Sequence, residues 1–174
     1  MSRLSYIEKI KIYDIIIAME KPDYDKIYEE IKLRGKDILY SAKYHENMSF
    51  IQHGSITVFQ HCLSVAMLSV HIANVTGWKI DRTALIRGAL LHDYFLYDWH
   101  EDAKWHRLHG YTHALRSMKN AQHDFGLNRV ERNMIFSHMF PLNLTHLPLY
   151  KESWILCVAD KVCGSIETAK YKKK

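Results

Sequence analysis

Apolar residues recur every three or four positions along most of this chain, the period of a helix that buries one face. Over 4–19, Ile7, Ile10 and Ile17 keep that spacing. A second helix is predicted from Pro22, with Tyr24, Ile27, Tyr28 and Ile31 on one side and Gly35 beyond its end. A third covers 37–51. The longest pattern runs from Thr57 to Thr76, where Val58, His61, Val65, Leu68 and Ile72 share a stripe and Gly77 supplies a stop. Asp81 suits the cap of the next helix, in which Ala84, Leu85, Gly88, Ala89 and Leu91 lead into His92 and Asp93. A polar, aromatic, histidine-rich loop follows, and a long loop in a small domain is more often functional than idle. Further helices are predicted at 112–125, ended by Gly126, and at 128–139, where Asn128 and Glu131 form a variant capping box. The last runs from Lys151 to Thr168, with Ile155, Leu156, Ala159 and Val162 as its apolar face. No segment alternates convincingly as a strand, so the expected class is all-α.

Length and composition narrow the picture only modestly. The 174 residues suit one domain over 1–174, with 1–50 as N-terminal helices packed on a core of 51–168. Hydrophobic residues make up 48% and charged residues 25%, an ordinary globular balance. No apolar run approaches the roughly 20 residues needed to span a bilayer, and the candidate at 15–19 is short. With no signal-peptide layout either, the expectation is a cytoplasmic protein without membrane contact. Cys62, Cys157 and Cys163 are odd in number and form no C-x-x-C pair, which reads as buried thiols rather than disulfides or a zinc ribbon. A net charge of +5, scattered among acidic residues apart from the cluster at 170–174, disfavours a nucleic-acid partner and suits a small anionic one. Homo-oligomerisation is left open.

The 12 histidines change the picture more, because imidazole is the commonest metal ligand and position can be read from the helical pattern. His61 shares its stripe with Val58, Val65 and Leu68, so it faces inward. His92 and Asp93 close an apolar helix, His138 follows Met134 and Ile135, and Asp160 lies in the most hydrophobic part of the last helix. A buried carboxylate is expensive unless paired or bound to a cation. Two carboxylates and several inward imidazoles can satisfy one another around a metal ion, and mixed His/Asp ligands favour Mn, Fe, Co, Ni or Zn over calcium. Each residue has a plainer reading as well. A single inward histidine, such as His71, is more often a hydrogen-bonded core residue, and Asp160 followed by Lys161 would serve as a surface ion pair.

The ordered set resembles the HD superfamily of metal-dependent phosphohydrolases. The stretches that carry the resemblance are F-Q-H-C-L-S-V-A (59–66), G-A-L-L-H-D (88–93), H-G-Y-T-H (109–113), F-S-H-M-F-P-L (136–142) and V-A-D-K (158–161). The resemblance implies a helical HD-domain bundle and four metal ligands at His61, His92, Asp93 and Asp160. Members with two metals add two histidines, which here correspond to His113 and His138, with Asp93 as the bridge; His109, one turn before His113, is a rival. It also implies hydrolysis of a phosphoester, monoester or diester, by metal-activated water, with one or two divalent ions and a small phosphorylated substrate. Asp93, His92 and Lys161 would take the catalytic roles, and Lys161, Arg116, Arg107, His109 and, less so, Lys104 would reach the substrate. Trp99, Trp105 and Tyr111 would pack or stack, and His53 reads as loop. A metal-bound regulatory or nucleotide-sensing module without turnover, and a di-iron oxygenase-like enzyme, are the alternatives. The dyad is followed by Tyr94-Phe95-Leu96-Tyr97-Asp98 rather than by the glycine, lysine or glutamate of many members, and the G-Y-P signature of cyclic-dinucleotide phosphodiesterases is absent, so no particular substrate is implied.

Overall fold

Asp23, one residue past the expected Pro22, opens the first helix of the structure, its side chain accepting from the Lys26 amide at 3.0 Å. The structure is a computed structural model that describes residues 22–98 and 109–171. The helix expected over 4–19 and the loop residues Trp99, Lys104, Trp105 and Arg107 lie outside the described residues. Helix α1 spans Tyr24–Arg34 and is followed by α2 (Lys36–Leu39), α3 (Ala42–His45) and a 3-10 turn, Glu46–Met48. Strands β1 (Ile51–His53) and β2 (Ile56–Thr57) form an antiparallel hairpin. Helices α4 (Val58–Thr76), α5 (Arg82–Leu91), α6 (His109–Phe125), α7 (Arg129–Ser137) and α8 (Lys151–Tyr171) complete the described residues.

The single helix expected over 37–51 is therefore corrected to two short turns, a 3-10 turn and a strand. Ile38 and Tyr44 are both fully buried, and six residues apart they could not share one face of a continuous helix. The break at Ser41, whose hydroxyl caps the new turn at the Tyr44 amide, brings both into the core. The hairpin leaves no strand pattern in the sequence because segments of three and two residues are too short to show alternation.

The bundle is all-α apart from that hairpin. Helix α4 packs against α5 and α8, α5 against α7, and α7 against α6 and α8. One core cluster takes in residues from all eight described helices, including Ile27, Ile31, Ile38 and Tyr44 from the segment before residue 50. By length and composition alone α4 passes, among the described residues, as a helix able to cross a membrane, with a mean hydropathy of 1.4. Of that window 67% is buried inside the bundle, where α4 is the central helix.

Local chemistry fixes the ends of these helices. Thr57 and Gln60 form a reciprocal capping box at the start of α4, and Gly77 ends it in the left-handed conformation at φ 61°. Asn128 and Glu131 do the same for α7. Gly88 permits a close approach: a Cβ there would lie 2.7 Å from both the sulfur and the terminal methyl of Met134 on α7.

Candidate metal centre

Five elements of the bundle converge on one buried cluster. His61 lies one turn inside α4, held in register by the Thr57–Gln60 cap. His92 is the C-terminal cap of α5 and Asp93 follows it in a turn whose carbonyls, those of Tyr94 and Phe95, both accept from the Asn120 amide of α6 at 3.1 Å. His113 comes from α6, His138 caps the C-terminus of α7, and Asp160 comes from α8. Two helix C-termini thus point their partial negative charge into one place, a field that favours cations.

The side chains form two groups whose ligand atoms lie within 4.8 Å of one another: His61, His92 and Asp160, and Asp93, His113 and His138. The Asp93 carboxylate stands between them. Its Oδ2 is 3.8 Å from His61 Nε2 and 3.5 Å from His92 Nε2, and its Oδ1 is 3.4 Å from His113 Nε2 and 3.5 Å from His138 Nε2. Asp160 Oδ1 is 3.2 Å from His61 Nε2 and 3.6 Å from His92 Nε2. All are buried except Asp160, whose side chain is 15% exposed.

Hydrogen bonds on the far side of the rings orient their lone pairs. His92 Nδ1 meets the Ala89 carbonyl at 2.8 Å and His138 Nδ1 meets that of Ile135 at 2.7 Å. A carbonyl only accepts, so both Nδ1 atoms carry protons, and in the neutral rings the Nε2 lone pairs face inward. His61 Nδ1 meets Glu167 Oε2 at 2.9 Å, the carboxylate support common behind a ligating histidine.

Within the cluster, burial and neighbouring charges pull in opposite directions. Burial disfavours charge on His61, yet hydrogen bonds to Asp160 and Glu167 outweigh it and push the ring up to about 10. His92 is likewise raised against its burial, chiefly by Asp93. Burial alone would neutralise the two aspartates, but His92 holds Asp93, and His61 with His92 holds Asp160, well below the usual carboxylate range. Burial and the neighbouring His113 push His138 down to about 3. His92 Nε2 and Asp93 Oδ1 are buried and have no hydrogen-bond partner among the described residues. Orphaned inward atoms, fixed lone pairs and a nitrogen–carboxylate donor set together fit a divalent first-row ion in each group.

The structure therefore brings together His61, His92, Asp93, His113, His138 and Asp160. Between the rivals on α6, His113 stands in the cluster; the side chains of His109, Tyr111 and His53 are outside the description. Lys161 Nζ donates to the His138 carbonyl at 2.8 Å and is 3.9 Å from Asp160, whose nearer partners are the histidines. Arg116 is exposed, with its guanidinium 4.8 Å from the centre of the Tyr97 ring, and does not line the cleft beside the cluster. His71 is buried and belongs to neither group. A cleft of about 940 Å³ is lined by Asp93, His113, His138, Asp160 and Lys161, together with residues of the loop after α7 and of the last turns of α8.

Two supporting residues went unnoticed in the sequence. Glu167 lies seven positions after Asp160, two helical turns along one face, a spacing that could have revealed it. Gln52, on β1, donates from Nε2 to Asp93 Oδ2 at 2.6 Å, and no pattern in the sequence points to it.

A helical bundle whose inward histidines and aspartates form paired groups around a shared carboxylate has a donor set that could hold a metal ion. The HD domain model matches residues 58–164, and the chain belongs to that family, part of the metal-dependent phosphohydrolase superfamily. No match is found among curated proteins, and none among solved structures.

Proposed function

We propose that this protein is a metal-dependent phosphohydrolase that cleaves a small phosphorylated metabolite, a nucleotide or a compound of similar size, using one or two divalent first-row ions. The supporting observation is Asp93, whose two oxygens face different His/Asp groups at 3.4–3.8 Å. On this reading His61, His92 and Asp160 would hold one ion and His113 and His138 a second, with Asp93 available to both. Bound ions would supply a water acidic enough to attack near neutral pH and would offset charge on the phosphoryl oxygens.

The chain supplies the placement. Lys161 lines the cleft beside Asp160 and offers its ammonium to the phosphoryl group. Met139, Pro141 and Leu142 give the organic part of the substrate an apolar wall, while Ser165 and Thr168 offer hydroxyls. The cleft is of the size that holds metabolite-scale ligands. As the water oxygen bonds to phosphorus the ester P–O bond breaks, and the departing oxygen takes a proton, giving an alcohol and a phosphate or phosphomonoester.

The test is the metal content of protein purified without added metal or chelator, in wild type and Asp93→Ala, followed by a phosphoester screen with the ion found. Near-stoichiometric first-row metal that the substitution removes, with hydrolysis of at least one phosphoester, is the expected result. Absence of metal in the wild type, even after incubation with Mn²⁺, Fe²⁺ or Ni²⁺, would overturn the reading.

A further inference from the structure

Gln52 stands apart from the ligand set and from every motif of the family resemblance. It reaches the cluster from the hairpin that precedes α4, and it is 7% exposed. The register of that hairpin slips: Ile51 pairs with Thr57 and His53 with Ile56, so two steps on β1 match one on β2, with Gln52 between them. Such irregularities re-aim a side chain, and here the side chain is aimed at Asp93. Its Nε2 lies 2.6 Å from Asp93 Oδ2, the oxygen facing His61 and His92. Its Oε1 is buried and has no hydrogen-bond partner among the described residues. A buried unpaired acceptor is costly, and it persists where a ligand supplies the missing donor.

We infer that Gln52 is a positioning residue that acts through Asp93. The inference rests on the phosphohydrolase reading for the reaction but not for metal binding. The amide N–H fixes the rotation of the shared carboxylate, so that each oxygen keeps to its own group. An amide does this without adding charge: a lysine here would compete with a cation, and a glutamate would add a negative group that repels the anionic substrate.

The test uses the full chain with Gln52→Ala and Gln52→Glu. Circular dichroism establishes that each metal-free variant is folded, Mn²⁺ titration gives its affinity, and turnover of a phosphoester that the wild type hydrolyses is followed against pH at saturating Mn²⁺. Loss of a supporting contact of this kind lowers metal affinity about 10–100-fold, and that is expected for Gln52→Ala, with an altered pH profile when Mn²⁺ saturates. Gln52→Glu is expected to keep or tighten Mn²⁺ while slowing turnover, which a merely structural role would not produce. If Gln52→Ala matches an active wild type in Mn²⁺ affinity and pH profile, the inference is overturned and the hydrolase reading stands. If the wild type binds Mn²⁺ but hydrolyses no phosphoester, the hydrolase reading fails, and the change in Mn²⁺ affinity alone decides whether Gln52 positions Asp93.

Discussion

The histidines of this cluster differ in what stands behind them. Those behind His92 and His138 are neutral backbone carbonyls, whereas His61 has the charged Glu167. A carboxylate raises the basicity of the ring it supports and so its strength as a ligand. Glu167→Gln keeps the shape and an acceptor but removes that charge, and it is expected to weaken Mn²⁺ binding about 10-fold with the fold intact. Mn²⁺ titration beside a circular dichroism spectrum checks this, and unchanged affinity would count against the support. At this scale the sequence was informative where helical period and burial coincide, as for His61, Asp160 and His138. It was silent on Gln52, because the aim of one side chain from a slipped hairpin depends on a pairing between neighbouring strands, which leaves no periodic trace. The period could not separate His109 from His113 either, since residues one turn apart share a face.

Between elements, Arg87 is the main polar tie. It joins α5 to Asp37 of α2, to the carbonyls of Phe125 and Gly126 at the end of α6, and to Glu131 of α7 at 2.7 Å. Glu131 is 3% exposed and also completes the α7 cap. Arg87→Ala leaves that carboxylate buried without its cation, a change that costs about 3 kcal/mol. Urea unfolding of the metal-free protein should show a loss of that order, and a loss below about 1 kcal/mol, typical of an exposed pair, would refute the tie. Helices with strong local signals, such as α4 and α7 with their capping boxes, were legible from the sequence. The segment at 37–51 was not, because tertiary burial of Ile38 and Tyr44 overrode a continuous helix there.

For the molecule as a whole, the cluster links stability to pH with a definite sign. In the metal-free protein His61 is raised from 6.5 to about 10 and His92 is raised as well, so their contribution is full below pH 6.5 and is lost as pH climbs towards 10. His138, lowered to about 3, acts below 6.5 instead: there the unfolded chain binds a proton that the folded one refuses, and stability falls as the solution is acidified. Asp93 and Asp160, held low, lose their contribution on the acid side too. The metal-free protein should therefore melt highest near pH 6.5 and progressively lower up to pH 9, whereas saturating Mn²⁺, which replaces the protons on the rings, should remove that alkaline decline. Thermal melts across this range with and without Mn²⁺ decide the matter, and a metal-free midpoint that holds steady above pH 6.5 would contradict the assignment.

Gly88 and Met134 lie against each other between α5 and α7, and each stands one helical turn before a histidine of the cluster, His92 and His138. The absent side chain at 88 therefore works as a shim of zero thickness. It sets how near two helix ends approach, and through them the spacing of the histidines they carry. An ion seated among those histidines would then have its fit gauged partly by a glycine and a methionine that stand outside the cluster.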